Sequence, residues 1–294
     1  MQRVAPYLFV APFVVLFATF LVAPIFVALW NSLYTVKSSG LGFQGAPSQV
    51  FAGIENYGRA LGNAGFIHGF GRVLLFGVVE VPLMMLIACT LALLFDTPLV
   101  KAKKFFQVAV FLPYAVPGVI AALLWGFLYQ PSVSPLVSVL HSLGVSAVFL
   151  APGTVLWSIA NVSIWSYAGI NMIILFSALQ SVPHEMNEAA RLDGAGELRI
   201  ALSIKLPMIA PAVLLTTLST VIGTLQLFNE PAVLKSVTSN ISSDFTPNMA
   251  IFAMSTRGGD THLASAMAVI LGLVTLMLSL LIMRASARRN GLGR

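Results

Sequence analysis

Few side chains in this 294-residue chain could do chemistry, and most of them sit in long apolar surroundings. Ser163, Tyr167 and Asn171 recur every four residues in one apolar stretch. Thr216, Thr220 and Thr224 do the same in another, with Gln226 and Asn229 following. A spacing of four stacks side chains on one face of a helix. Hydroxyls and amides stacked in this way suit reversible hydrogen bonding to a polar solute better than bond making. A plainer reading stands beside it: Ser and Thr can bond their own helix backbone, and Asn or Gln can join neighbouring helices. Glu80 is the one charge inside any of the long apolar stretches. A carboxylate in such a place is costly and suggests function by default, although pairing with another subunit or protonation would also keep it there. Enzymatic chemistry finds no support. His68, His141, His184 and His262 are too scattered for a metal site, and Cys89 is the single cysteine. No Gly-Lys pair exists from which a phosphate-binding loop could be built.

The elements that must position these residues follow from composition. The chain is 58% hydrophobic and only 9% charged, against about 25% charged in soluble domains, so its main solvent is lipid. Six stretches reach the roughly 20 apolar residues that a membrane crossing requires: Tyr7 to Trp30, Val73 to Phe95, Phe105 to Tyr129, Thr154 to Gln180, Met208 to Phe228 and Leu263 to Met283. The first is too long for the core of a secretion signal and is read as a retained helix. The expected fold class is an all-α membrane protein, a single domain of six transmembrane helices. Pro82, Pro113 and Pro117 are expected to kink their helices. Lys and Arg favour the cytoplasmic side. With both termini inside, the inner segments hold eleven of the 16 basic residues, including Arg3, Lys101, Arg191, Lys205, Arg284 and Arg294. The outer segments hold Lys37, Arg59, Arg72, Lys235 and Arg257. The N- and C-termini are therefore expected in the cytoplasm. The net charge of +6 forms no patch, so no nucleic-acid partner is expected.

The inner segment 181–207 is the most informative. Pro183 suits the first turn of a short helix, Asp193-Gly194 reads as a turn, and a second short helix runs toward Pro207. The spacing predicts a helix–turn–helix knob projecting from the membrane. Here the sequence resembles a known family. Glu188-Ala189-Ala190, three residues, Gly194, nine residues, Ile204, one residue and Leu206-Pro207 is similar to the cytoplasmic "EAA" loop of ABC importer permeases at every fixed position. Asp193, Ala195 and Pro211 fit the sugar-importer branch. So do Phe51-Ala52-Gly53-Ile54-Glu55-Asn56-Tyr57, after the first span, and Phe111-Leu112-Pro113 in the third. Two departures stand out. Leu234-Lys235-Ser236-Val237-Thr238 replaces a Thr-Gly-Gly-Gly-Pro run, and Ile200 replaces an aromatic.

The resemblance implies a type I importer permease core in a bacterial plasma (inner) membrane, crossing it many times. It implies a second permease subunit, more often a different chain than a copy, with two ATPase subunits that bind ATP and Mg, and an extracytoplasmic solute-binding protein. This chain itself is expected to hold no cofactor. Glu188, Ala189, Ala190, Asp193, Gly194, Ile204, Leu206 and Pro207 would form the ATPase-coupling loop. The spans carrying Ser163, Tyr167, Asn171, Thr220, Thr224 and Asn229 would line a path for a carbohydrate-like solute, with Tyr167 stacking on a sugar ring and Asn171 bonding its hydroxyls. The alternative from another class is an ion-coupled secondary transporter. It requires ionisable groups at the membrane midplane and often two repeated halves. Only Glu80 qualifies, and no repeat is visible.

Overall fold

The computed structural model describes residues 5–37, 48–97 and 100–289. Arg3 and Arg294, used in the charge bias, lie outside the described residues, as does the stretch 38–47 of the first outer loop. The first span is built from α1 (Ala5–Phe17), a π-helical segment (Ala18–Val22) and α2 (Ala23–Ser32). The π segment has a local cause. Pro24 lacks an N–H and cannot close an i→i−4 bond, so the chain admits one extra residue in the preceding turn. Strands β1 (Tyr34–Lys37) and β2 (Ser48–Phe51) pair antiparallel with Tyr34 opposite Phe51. Then come α3 (Glu55–Leu61) and α4 (Ala64–Asp96), which the Asn63 side chain caps by accepting from the Phe66 N–H at 3.0 Å.

The third predicted span is two helices, α5 (Lys103–Ala115) and α6 (Gly118–Leu128), bent by 97°. Proline clashes with a helical residue before it, and Val116, ahead of Pro117, is accordingly extended (φ −78°, ψ 125°). Pro82 has no such effect: α4 continues through it. After α7 (Pro135–Ser142) comes α8 (Val155–Leu179), followed by the short helices α9 (His184–Leu192) and α10 (Glu197–Ile200). A second π segment (Ala201–Lys205) again precedes a proline, Pro207, and leads into α11 (Leu206–Met208). Helix α12 (Ala210–Leu225) ends before Phe228, and α13 (Asn229–Leu234) resumes after the break. The chain closes with α14 (Pro247–Thr256) and α15 (Thr261–Arg289).

Among the described residues, five helical stretches are long and apolar enough to cross a membrane: Tyr7–Ser32, Ala64–Asp96, Val155–Leu179, Ala210–Leu234 and Thr261–Ser286. The bent α5–α6 pair makes a sixth if it counts as one span. Helix α4 lies at the centre, with α8 along one side and α12 and α14 on others, while α15 receives α2, α3 and α14. Gly169 lets α5 approach α8 closely, because a Cβ there would run into the Val110 carbonyl oxygen. Outward faces carry large apolar side chains such as Phe9, Phe20, Val78 and Leu86, as lipid contact demands.

The Phe51–Tyr57 run has a structural purpose. Asn56 is fully buried, and its Nδ2 donates to the carbonyls of Ser32 (2.9 Å) and Tyr34 (2.7 Å), while Tyr57 Oη pairs with Ser32 Oγ at 2.7 Å. These bonds satisfy the orphaned carbonyls where α2 ends and β1 begins. Arg59 then bridges to Asp260 at 2.7 Å, and Asp260 accepts from the Leu263 N–H at 2.9 Å, capping α15. Burial acts to raise the Asp260 pKa. The Leu263 N–H and the Arg59 guanidinium outweigh it and hold the carboxyl below the usual carboxylate range.

Candidate functional site

Two places in the fold collect polar side chains. The first is a cavity of about 350 Å³ between α4, α8 and α12, bordered by Tyr114 of α5 and by the break and first turn from Gln226 to Glu230. Such a volume falls within the usual range for small-molecule sites. The stripes of four-residue spacing meet there. Ser163, Tyr167, Asn171, Thr220, Thr224 and Asn229 all border the cavity; Thr216 does not. Their bonding divides the two readings of those stripes. The Ser163 hydroxyl donates to one Glu80 carboxylate oxygen at 2.9 Å, and the Thr224 hydroxyl donates to the other at 2.9 Å. Thr220 donates to the Thr216 carbonyl at 2.9 Å, and Thr216 to the Ala212 carbonyl, so these two bond their own helix. Asn171 Nδ2 reaches Thr220 Oγ1 at 3.2 Å and Met84 Sδ at 3.1 Å, joining α8 to α12 and α4. Tyr167 and Asn229 are the open members; Tyr167 is 40% exposed, with its ring edge-on to Tyr114 at 6.1 Å.

Glu80 is 1% exposed. Burying a carboxylate is tolerable only with hydrogen-bond donors supplied, and two helices, α8 and α12, supply them to α4. Spacing marked the α8 and α12 members but could not reveal their bond to Glu80, which lies 83 and 144 residues away. Glu230, buried at the start of α13 and bordering the same cavity, and Tyr114 were missed. Neither lies in a periodic polar stripe. The cavity can accept hydrogen bonds from a polyhydroxylated solute and stack aromatic rings on it. No group of His, Cys, Asp and Glu suited to a metal occurs among the described residues.

The second place is the knob formed by α9 and α10. Pro183 precedes α9, and the helix ends on two reverse bonds: Gly194 N–H to the Arg191 carbonyl (3.0 Å) and Ala195 N–H to the Ala190 carbonyl (2.9 Å). This closing pattern requires a left-handed residue between them, and Gly194 supplies it with φ +80°. Arg191 pairs with Glu197 across the turn at 2.8 Å. Glu188, Ala189 and Asp193 are exposed on the knob, whereas Ile200, the aromatic replacement, is buried beneath it. Three exposed apolar side chains share the knob: Met186, Leu192 (90% exposed) and Leu198 (73% exposed). The motif does not include them, and hydropathy alone cannot tell an exposed Leu from a buried one. At the knob's exit Lys205 Nζ meets Asp96 at the end of α4 at 2.5 Å, and Gln180 Nε2 donates to the other Asp96 oxygen at 2.9 Å.

With this geometry in place, comparison with known proteins decides the family. Residues 85–290 match the family described as "Binding-protein-dependent transport system inner membrane component". The chain belongs to that family. The permease is 32% identical over 207 residues to the sn-glycerol-3-phosphate transport system permease protein UgpA of Pectobacterium atrosepticum, covering 70% of this chain and 68% of that one. It is 29% identical over 288 residues to the probable ABC transporter permease protein YurN of Bacillus subtilis, covering 96% of each. Among solved structures, a bacterial ABC transporter involved in the import of the acidic polysaccharide alginate superposes with a TM-score of 0.81 at 22% identity, over 98% of this chain and 96% of that one. The fold is thus that of an ABC importer permease, and the permease is a transport subunit rather than an enzyme.

Proposed function

We propose that this chain is one of two permease subunits in an ATP-driven importer of a carbohydrate-like solute in a bacterial plasma membrane. In this reading the α4–α8–α12 cavity is its half of the path. The observation that carries the reading is the knob: a tightly closed helix–turn–helix that leaves Leu192 and Leu198 in the open beside Glu188. Large exposed apolar groups ringed by polar ones mark an interaction surface. A chain without its own phosphate-binding loop needs a motor to dock there. Both termini and the knob face the cytoplasm, and two ATPase subunits that bind ATP and Mg engage the knob through Glu188, whose carboxylate makes charge-assisted hydrogen bonds. Ala189 and Ala190 permit close approach. The second permease is a different chain, and a solute-binding protein docks on the opposite face. Names of relatives point to sugars or glycerol phosphate as cargo, and Tyr167 with Asn171 suits stacking on a ring and bonding its hydroxyls.

Glu188→Lys and Gly194→Asp test the reading. Both variants are expected to insert normally, to lose solute uptake, and to recover less ATPase subunit on affinity purification. Normal uptake by either, or labelling of a cysteine at position 188 from the outer face, would refute it.

A further inference from the structure

The cavity is lined by acidic side chains and by no basic one. Two carboxylates border it, Glu80 from α4 and Glu230 from α13, and no Lys, Arg or His is among its lining residues. Both are buried, Glu80 at 1% and Glu230 at 6% exposure. A basic pair, Lys235 and Arg257, borders a separate cavity beyond Phe228, where both donate to Ser243 Oγ at 2.6 and 3.3 Å. In a water-poor cleft the field of fixed charges is focused, and a site lined by one sign concentrates solutes of the other sign and depletes its own. The named relatives carry or contact anions: glycerol phosphate in one case and an acidic polysaccharide in another. Tight anion recognition relies on cationic donors, and this lining sets two carboxylates beside amides and hydroxyls, with no cation among them.

We infer that Glu80 and Glu230 are specificity-determining residues that restrict this permease to solutes without negative charge, uncharged carbohydrates or amino sugars, and exclude phosphorylated and uronate sugars. The Ser163 and Thr224 hydroxyls hold the Glu80 carboxylate in place, and each of its oxygens keeps a further lone pair with which to accept from a solute hydroxyl. Glu230, in the first turn of α13, adds a second carboxylate to the lining.

This inference rests on the permease reading, and its test separates the two. In the assembled importer with Cys89 replaced by Ala, a single cysteine is placed at Tyr167 and, independently, at Tyr114. Each is reacted with a cationic trimethylammonium and an anionic sulfonate methanethiosulfonate of similar size. Rates are divided by those of the same reagents with a free thiol. The corrected cation-to-anion ratio is expected to reach at least about tenfold, the lower end for a charge-focusing cleft. It should fall severalfold toward one in Glu80→Gln and in Glu230→Gln, and furthest in the double variant. A ratio near one, a preference for the anion, or a ratio that both glutamine variants leave unchanged overturns the inference while leaving the permease reading intact. If neither cysteine reacts from either side of the membrane in any nucleotide state, the cavity is not on a path and the permease reading of this site fails instead.

Discussion

Lys205→Met removes one partner of the ion pair that fastens the knob's exit to the end of α4. The two charged atoms stand 2.5 Å apart, and their side chains are only 9% and 16% exposed. A fully exposed pair contributes about 0–1 kcal/mol, whereas breaking a buried one costs about 3–5 kcal/mol because a charge is left behind. Here the stranded group is Asp96, which keeps the Gln180 amide as a donor. Between these limits, a loss of about 2–3 kcal/mol is expected. On the proposed function the loss falls on the geometry presented to an ATPase subunit, and with about 1.4 kcal/mol to each factor of ten the subunit's affinity drops roughly 30- to 140-fold. The assay is a titration of purified ATPase subunit onto the permease pair in lipid nanodiscs, read as a dissociation constant. Asp96→Asn should weaken binding less, since an amide oxygen can still accept from Lys205. The exchanged pair Asp96→Lys with Lys205→Asp should recover at least a factor of about ten over either reversed single variant. An affinity within threefold of wild type for Lys205→Met, or an exchanged pair no better than the singles, would show that the ion pair does not set the knob's geometry.

Gly169→Ala should destabilise the solubilised permease by about 1–3 kcal/mol, since its new methyl meets the Val110 carbonyl, while Gly71→Ala, with open space around it, should be neutral or stabilising by up to about 1 kcal/mol; denaturation midpoints in mixed micelles compare them. Asp260 gives a pH signature. Its carboxyl titrates below its unfolded value, so the contribution of its Arg59 and Leu263 bonds is complete above about pH 4 and is lost as pH falls through the depressed folded value. Thermal stability of the wild type should therefore fall more steeply below pH 4 than that of Asp260→Asn, and parallel curves would remove Asp260 from the account.

How much of this was readable in advance depended on whether a local rule or a distant partner decided the outcome. The knob was legible down to its turn, because the closure on Gly194 is settled within six residues: the chain reverses, and only glycine takes the left-handed position cheaply. The stripes of Ser163, Tyr167, Asn171, Thr220 and Thr224 were legible as one face, because periodicity is a property of a single helix. What those side chains bond was not. Ser163 and Thr224 turn to a carboxylate on another helix, and Thr220 turns to its own backbone, yet all three look alike in sequence. Proline shows the same limit. Pro117 breaks a helix by 97°, while Pro82 leaves α4 whole, and residue type alone does not separate the two. The β1–β2 ribbon was missed altogether. Four residues per strand, separated by ten residues of Gly, Ser and Pro character, look like turn-rich loop until Asn56 is seen to pin both the Ser32 and Tyr34 carbonyls.

The two polar places share one helix. Glu80 and Asp96 both belong to α4, sixteen positions apart by their numbers, which is about 24 Å along an α-helix. The helix between them is continuous, and its buried face of Met84, Ala88 and Ala92 is packed within the bundle. Any shift of the knob that preserves the Lys205–Asp96 pair must carry the end of α4 with it. A helix that neither kinks nor frays in that interval passes the shift to the Glu80 carboxylate, where Ser163 of α8 and Thr224 of α12 must follow or let go. Linkage makes the traffic reciprocal: if docking at the knob alters solute affinity in the cavity by some factor, solute in the cavity alters docking by the same factor. A solute that bonds the Glu80 carboxylate in only one of those arrangements would therefore bias the knob toward one of its positions.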